Sequence, residues 1–333
     1  MKSINSQNKE LIDFNSNFHK TGYIIKEESV IADQYRNRSF SVITKQSKKG
    51  FFLKQLKEFT INHQEQFYRE CKFFQLLDNH KITLHTIPFL IDFNEKLSIS
   101  TYQYIDGYAT FSAHDYSRAN FILLGKIVNE IHVELAKIPN PIPLIFQNKY
   151  PSNIFLIDPS ESNDYSKTYL SALGLSKAFA FFEEHGINEK YLTIVADCVK
   201  KWDCTPCKTL IHGDMKTGNF LFGKDTTDLI LIDWENIIYG DPNWDLSALL
   251  FSIFVKEDFK NPLKSIENVK NLFQSVLTQI SYADKDSINL YFLMQIIMYL
   301  VDNHGNQIVN ITNYMEEILL LKLNNNEDIF QWA

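Results

Sequence analysis

In the stretch His212-Gly213-Asp214-Met215-Lys216-Thr217-Gly218-Asn219, an aspartate and an asparagine stand five positions apart, and Asp233-Trp234-Glu235 follows fourteen residues after Asn219. The apolar pair Leu210-Ile211 precedes the first segment and the run Leu229–Ile232 precedes the second, so the spacing predicts a small strand–loop–strand element. An Asp and an Asn from a loop, with a second Asp at a neighbouring strand end, can hold Mg²⁺, a hard cation that takes oxygen ligands. The carboxylate left over can serve as general base toward a hydroxyl. These are the parts phosphoryl transfer requires, because its catalysis is mostly positioning and charge neutralisation. The alternative is a polar loop with no such role.

The order HGD-x4-N, then Ile232-Asp233-Trp234-Glu235, then Gly240-Asp241-Pro242-Asn243-Trp244-Asp245-Leu246-Ser247 resembles the aminoglycoside phosphotransferase and choline kinase family. That resemblance implies an α+β, protein-kinase-like two-lobe fold, with a small β-rich N-lobe and a larger, mainly helical C-lobe. It implies Asp214 as the catalytic base or hydroxyl anchor, and Asn219 and Asp233 as magnesium ligands. Lys216, two residues after Asp214, stands where a protein kinase has a lysine that meets the transferred phosphate; the other reading is a surface lysine. Asp245 matches a family aspartate that braces the catalytic loop. Trp-Glu after Asp233, where a protein kinase has Phe-Gly, points to the small-molecule branch, and Glu235 is a candidate contact to metal or substrate.

Upstream, Phe67, Cys71, Phe74 and Leu77 recur at helical spacing from about Asn62 to Leu77, and Glu70 lies inside that apolar stripe. A carboxylate on a buried face needs a cation, and Lys54, on the β-prone run Phe51–Leu56, is the nearest candidate on a strand. Glu65 falls on the opposite face. A strand lysine paired with a helix glutamate is how kinases hold the α- and β-phosphates; the other reading has Glu70 snorkel from the edge of the stripe. The resemblance further places the adenine against the backbone at Gln103, Tyr104 and Ile105, with the nucleotide between the lobes. The loop expected over the phosphates, Gln34–Ser41, contains no glycine, so Arg36, Arg38 and Ser39 are either direct phosphate contacts or a solvated turn.

Working outward, Ser39–Lys45 and Phe51–Leu56 read as strands joined by Gln46–Gly50, and Ile87–Leu90 and Ile99–Tyr104 as two more. Asp106-Gly107 is a turn signal, and the lobes divide there into 1–104 and 105–333. Beyond it Phe121, Leu124, Val128, Ile131 and Leu135 form a long amphipathic helix with His132 at its edge, a structural histidine near the catalytic loop. Ile138–Asn163 holds five prolines and reads as a loop or insertion, and helices follow at Lys167–Glu184, Glu189–Trp202 and from Asn243 to Leu323.

Composition narrows the function further. The 333 residues carry 33 basic and 40 acidic side chains, a net charge of −7, which argues against a general nucleic-acid binder. The polar start and the short apolar runs around Gln295 predict neither signal peptide nor membrane insertion, and a cytoplasmic protein. Four cysteines are too few for a disulfide scaffold, and Cys204-Thr205-Pro206-Cys207 has no second pair to complete a zinc site. Trp234, Tyr239 and Trp244 are either core or a cage for a quaternary ammonium. The expected function is an ATP- or GTP- and Mg²⁺-dependent kinase for a hydroxyl of a small molecule, such as an aminoglycoside or other antibiotic, a choline-like amino alcohol or a similar metabolite. The alternatives are an idle nucleotide-binding scaffold and a kinase for peptide or protein hydroxyls.

Overall fold

A computed structural model describes residues 23–33, 37–44, 50–56, 61–94, 98–103, 105, 107–112, 115–147, 189–206, 208–223, 228–256, 262–302 and 314–320. The chain divides into two compact units, Met1–Tyr108 and Ala109–Ala333.

The first unit is built on a five-stranded antiparallel sheet in the order β1-β2-β3-β5-β4. Its strands are β1 (Tyr23–Asp33), β2 (Asn37–Thr44), β3 (Gly50–Leu56), β4 (Leu90–Asn94) and β5 (Ile99–Gln103). Helix α1 (Ile61–Asn79) packs against β3 and β4. The stripe on α1 is buried as its spacing requires: Phe67, Cys71, Phe74 and Leu77 are all inside, with Leu56 and Phe93 closing over Phe67 and Cys71. Strand β3 is central, paired with β2 and β5, so Leu53 and Lys54 are both buried although successive side chains leave opposite faces.

One sequence expectation shifts here, and one strand was not expected. The strand expected at Ile87–Leu90 begins instead at Leu90, paired with Tyr102, because Pro88 has no N–H to give a ladder. Strand β1 carries no alternation the sequence could announce. Of the other expectations, Gln46–Lys49, Gln34–Arg36, Tyr104, Asp106, Asn148–Asn163, Lys167–Glu184 and Cys207 lie outside the described residues.

The second unit is mainly helical. Its helices are α2 (Arg118–Leu135), α3 (Leu192–Cys204), α4 (Asn243–Phe254), α5 (Pro262–Leu277) and α6 (Lys285–Asp302), and residues 314–320 are also helical. The Ser117 hydroxyl caps α2 by accepting from the Asn120 amide at 3.2 Å. The apolar stripe of α2 is buried in full and meets α5. At Gly125 a Cβ would stand 2.6 Å from the Val276 carbonyl oxygen, so glycine is what permits this close helix pair. Helix α4 is apolar nearly all round and buried nearly all round, with α6 and α5 against it.

The strands of this unit are short: β6 (Tyr108–Thr110) at the junction, β7 (Thr209–Ile211), β8 (Phe220–Gly223), β9 (Leu229–Leu231) and β10 (Ile238–Gly240). The expected strand–loop–strand element is corrected in its pairing. Strand β9 pairs with β8, and β7 pairs with β10, both antiparallel. The loop between β7 and β9 is long enough to contain β8, so β9 meets its immediate neighbour in sequence and β7 takes the strand that follows.

Candidate active site

In the first unit Lys54 Nζ lies 3.1 Å from Glu70 Oε2, with side chains 11 % and 4 % exposed. Strand β3 presents the lysine, while α1 presents the glutamate from within its apolar stripe. Burying either charge alone would cost several kcal/mol, on the order of 3–5, which fixes the two together. The Tyr102 hydroxyl lies close by on β5; burial, with the Glu70 carboxylate beside it, pushes it well above the usual tyrosine range. Gln103 ends β5 and Ile105 follows, half-buried.

In the second unit, β7 delivers the chain into the loop 212–219, which closes in a short 3₁₀ turn (Thr217–Asn219) before β8. Asp245, fully buried in the first turn of α4, holds the start of this loop. Its Oδ2 accepts from the His212 amide at 2.7 Å and its Oδ1 from the Gly213 amide at 2.9 Å. The Trp244 indole donates to the Gly213 carbonyl at 3.3 Å. Further on, the Ser252 hydroxyl accepts from the Thr217 amide at 3.0 Å, and the Tyr116 hydroxyl donates to Thr217 Oγ1 at 3.1 Å. Neither Ser252 nor Tyr116 carries a motif, so the sequence alone does not reveal them.

Within the loop, Lys216 Nζ donates to Asp214 Oδ2 at 2.7 Å, both side chains being partly exposed. Asn219 Nδ2 donates to the Asp214 carbonyl at 2.8 Å and approaches Asp214 Oδ2 at 3.4 Å. With its nitrogen turned to Asp214, the amide of Asn219 has its oxygen to offer elsewhere. Asn219 precedes β8 and Ile232 follows β9, and the Ile232 amide donates to the Asn219 carbonyl at 2.9 Å. Asn219 and Asp233 therefore share one end of the β8–β9 pair. Asp233 has φ 70° and ψ 58°, a left-handed conformation that aspartate tolerates better than most residues.

His212 couples the two segments. The Asp214 amide donates to its Nδ1 at 3.3 Å, which leaves Nε2–H to donate to the Ile232 carbonyl at 2.9 Å. Gly213 has φ +80°, and a Cβ there would stand 2.3 Å from the Asn236 carbonyl oxygen. Gly213→Ala is accordingly expected to push the loop 212–219 away from the segment carrying Asp233. The left-handed backbone alone costs about 1–2 kcal/mol, so a lower melting temperature should accompany a loss of turnover. An alanine variant that melts and turns over like the unaltered chain would show that this contact relaxes without consequence.

Two of the three aromatics around this segment, Trp234 and Trp244, are core, and Tyr239 is half-buried. Trp234 and Trp244 are 0 % and 1 % exposed, the first against His212 and the second against Trp202 and Tyr291, so neither ring is available to a cation cage. Cys204 is exposed and free. Among the described residues no three His, Cys, Asp or Glu side chains gather into a metal site, and no helix is long and apolar enough to cross a membrane.

A model described as a phosphotransferase enzyme family matches residues 27–269. The chain belongs to that family. It is a phosphotransferase enzyme with a protein-kinase-like α+β fold. No curated protein sequence matches it significantly. Among solved structures it is similar to a choline kinase from Streptococcus pneumoniae, at 16 % identity over 96 % of this chain and 99 % of that one, with a TM-score of 0.54. It is also similar to the GDP complex of aminoglycoside 2'-phosphotransferase-IIIa (15 % identity, 95 % and 99 % covered, TM-score 0.55). A Plasmodium vivax ethanolamine kinase is a third (14 % identity, 92 % and 84 % covered, TM-score 0.55).

Proposed function

We propose that this phosphotransferase moves the γ-phosphoryl group of ATP or GTP to a hydroxyl of a small molecule, with Asp214 as the group that orients and deprotonates that hydroxyl. The observation that carries the reading is the Asp214–Asn219–Asp233 arrangement. One loop, pinned by Asp245, brings a carboxylate and an amide together, and the β8–β9 pair brings a second carboxylate to the same end.

The residues fit a magnesium ion. One carboxylate and one amide oxygen suit a cation that keeps several waters and takes phosphate oxygens as its remaining ligands. Asn219 through Oδ1 and Asp233 through its carboxylate would hold it. When bound, Mg²⁺ supplies neutralisation of the negative charge on the phosphates.

In this reading Lys54, oriented by Glu70, binds the α- and β-phosphates, and the backbone at Gln103, Tyr104 and Ile105 receives the base. Lys216 and Asn219 engage Asp214 Oδ2, which assigns Oδ1 to the acceptor hydroxyl. The acceptor oxygen bonds to the γ-phosphorus as the bond from that phosphorus to the bridging oxygen breaks. The hydroxyl proton passes to Asp214, and the nucleoside diphosphate leaves. Lys216 faces the transferred group as a point charge. The choline, ethanolamine and aminoglycoside kinases with this fold make amino alcohols and aminoglycosides the first acceptors to try; the fold itself does not choose among them.

The test is nucleoside diphosphate release from purified protein with Mg-ATP or Mg-GTP and pooled acceptors: aminoglycosides, macrolides, amino alcohols, hydroxy amino acids and sugars. Acceptor-dependent release that disappears in Asp214→Asn is the expected result. Nucleotide binding with no turnover in any pool would favour a scaffold, and absence of nucleotide binding would overturn the reading.

A further inference from the structure

His132 was expected as a structural histidine, and the structure gives it more specific neighbours. It is 2 % exposed on α2, and its Nε2 stands 3.0 Å from Asp245 Oδ2, the oxygen that also accepts the His212 amide. Its Nδ1 is hydrogen-bonded to the hydroxyl of Tyr282. Tyr282 belongs to residues 278–284, the connection between α5 and α6.

For a neutral imidazole the partners set the direction of each bond. A carboxylate only accepts, so His132 Nε2 carries a proton and donates to Asp245. A neutral imidazole then has a lone pair at Nδ1, and the Tyr282 hydroxyl donates to it. Burial, followed by the Asp245 and Asp241 carboxylates, pushes the Tyr282 hydroxyl well above the usual tyrosine range, so it keeps the proton it donates. Without that donor, Nδ1 loses the hydrogen bond that steadies the ring, and the imidazole is held only by its Nε2–H bond to Asp245.

The connection carrying Tyr282 is itself held at both ends. The Ser281 amide and hydroxyl both donate to Asn129 Oδ1 on α2, each at 3.1 Å. The Asp284 amide donates to Asn243 Oδ1 at 2.9 Å, and Lys201 on α3 meets Asp284 at 2.8 Å. The tyrosine is thus delivered to His132 by a fixed segment.

We propose that Tyr282 is a positioning residue for the loop 212–219. Its hydroxyl anchors the Nδ1 side of the His132 ring and so holds Nε2–H on Asp245, and Asp245 in turn holds the amides of His212 and Gly213. This rests on the reading of Asp214 as the group that orients the acceptor hydroxyl, because that is the residue the held loop presents. Tyr282 touches neither Asp214 nor Asn219, so its effect passes through His132 and Asp245.

The test is Tyr282→Phe, which keeps the ring and removes the hydroxyl, studied by kinetics and by imidazole ¹⁵N NMR. His132→Gln identifies the His132 resonances by their disappearance. The unaltered chain should show His132 as the Nε2–H tautomer. In Tyr282→Phe the Nε2–H tautomer should persist, because Asp245 still accepts from it, while the Nδ1 resonance should shift on losing its hydrogen bond and the His212 and Gly213 amide resonances should move. The kcat should fall roughly three- to tenfold, as for loss of one hydrogen bond, with the KM for nucleotide and acceptor unchanged. Ser281→Ala, which gives up one hydroxyl bond to Asn129 but keeps the Ser281 amide bond and the Tyr282 hydroxyl, should leave kcat unchanged. An Nδ1–H tautomer in the unaltered chain would overturn the proposal. So would a Tyr282→Phe protein with unmoved loop amides and unchanged kcat. Should the unaltered chain turn over no acceptor, the functional reading fails, and the imidazole and amide resonances still decide whether Tyr282 holds the loop.

Discussion

Asp214→Ala is expected to lower turnover about 100- to 10,000-fold, the usual contribution of a positioned general base, while nucleotide binding and folding survive. The structure explains why the loss should be so selective. The loop does not depend on the Asp214 side chain. Its start is held by Asp245 through the His212 and Gly213 amides, and its end by Ser252 and Tyr116. Even Asn219 is anchored mainly through the Asp214 carbonyl, at 2.8 Å, which alanine retains. The Asp214 amide that donates to His212 is retained as well. What alanine removes is a partly exposed carboxylate and its ion pair with Lys216, an interaction of small value in water. The measurement is kcat by diphosphate release beside nucleotide affinity by titration. In free-energy terms the expected loss is about 3–5 kcal/mol of transition-state stabilisation. A variant that keeps most of its rate would move the base elsewhere, and one that loses nucleotide affinity in equal measure would make Asp214 a binding residue.

The parts of this site that are adjacent in sequence are the parts that could be read from it. Asp214, Lys216 and Asn219 stand within one loop, and their spacing brings them together whatever the rest of the chain does. Lys54 and Glu70 were legible for a different reason: a carboxylate inside an apolar stripe demands a cation, and the neighbouring strand had one to give. The strand pairing of the second unit was not legible. Strands of three or four residues such as β7, β8 and β10 are too short to show a period of two, and their partners depend on what the intervening loop contains. Tyr282 and His132 are 150 positions apart. Nothing local marks a tyrosine in a helix connection as the donor to a buried imidazole. Trp234 and Trp244 left two readings open, core or cage, because nearness in sequence to Asp233 does not fix where a ring packs, and the rings went to the core.

Asp245 provides the contrasting experiment, in which rate and stability should fall together. Three N–H groups converge on its carboxylate: the His212 amide, the Gly213 amide and His132 Nε2. The site is fully buried, so Asp245→Ala leaves these donors facing a cavity. Each buried donor without an acceptor costs about 1–3 kcal/mol, and with partial relaxation the sum should be about 3–5 kcal/mol. The carboxylate also lies in the first turn of α4, where it suits the positive end of the helix dipole, and that contribution goes too. For a unit of this size the loss corresponds to a fall in melting temperature of roughly 10 °C. Turnover should fall with it, because the loop presenting Asp214 loses its anchor. Asp245→Asn separates the terms. Its oxygen can still accept from His212 and His132, but its NH₂ then confronts the Gly213 N–H, so its melting temperature should lie between those of the alanine variant and the unaltered chain. If instead Asp245→Ala melts where the unaltered chain does, the anchoring of the loop must come from Ser252, Tyr116 and Trp244, and the Tyr282–His132–Asp245 connection would have nothing to transmit.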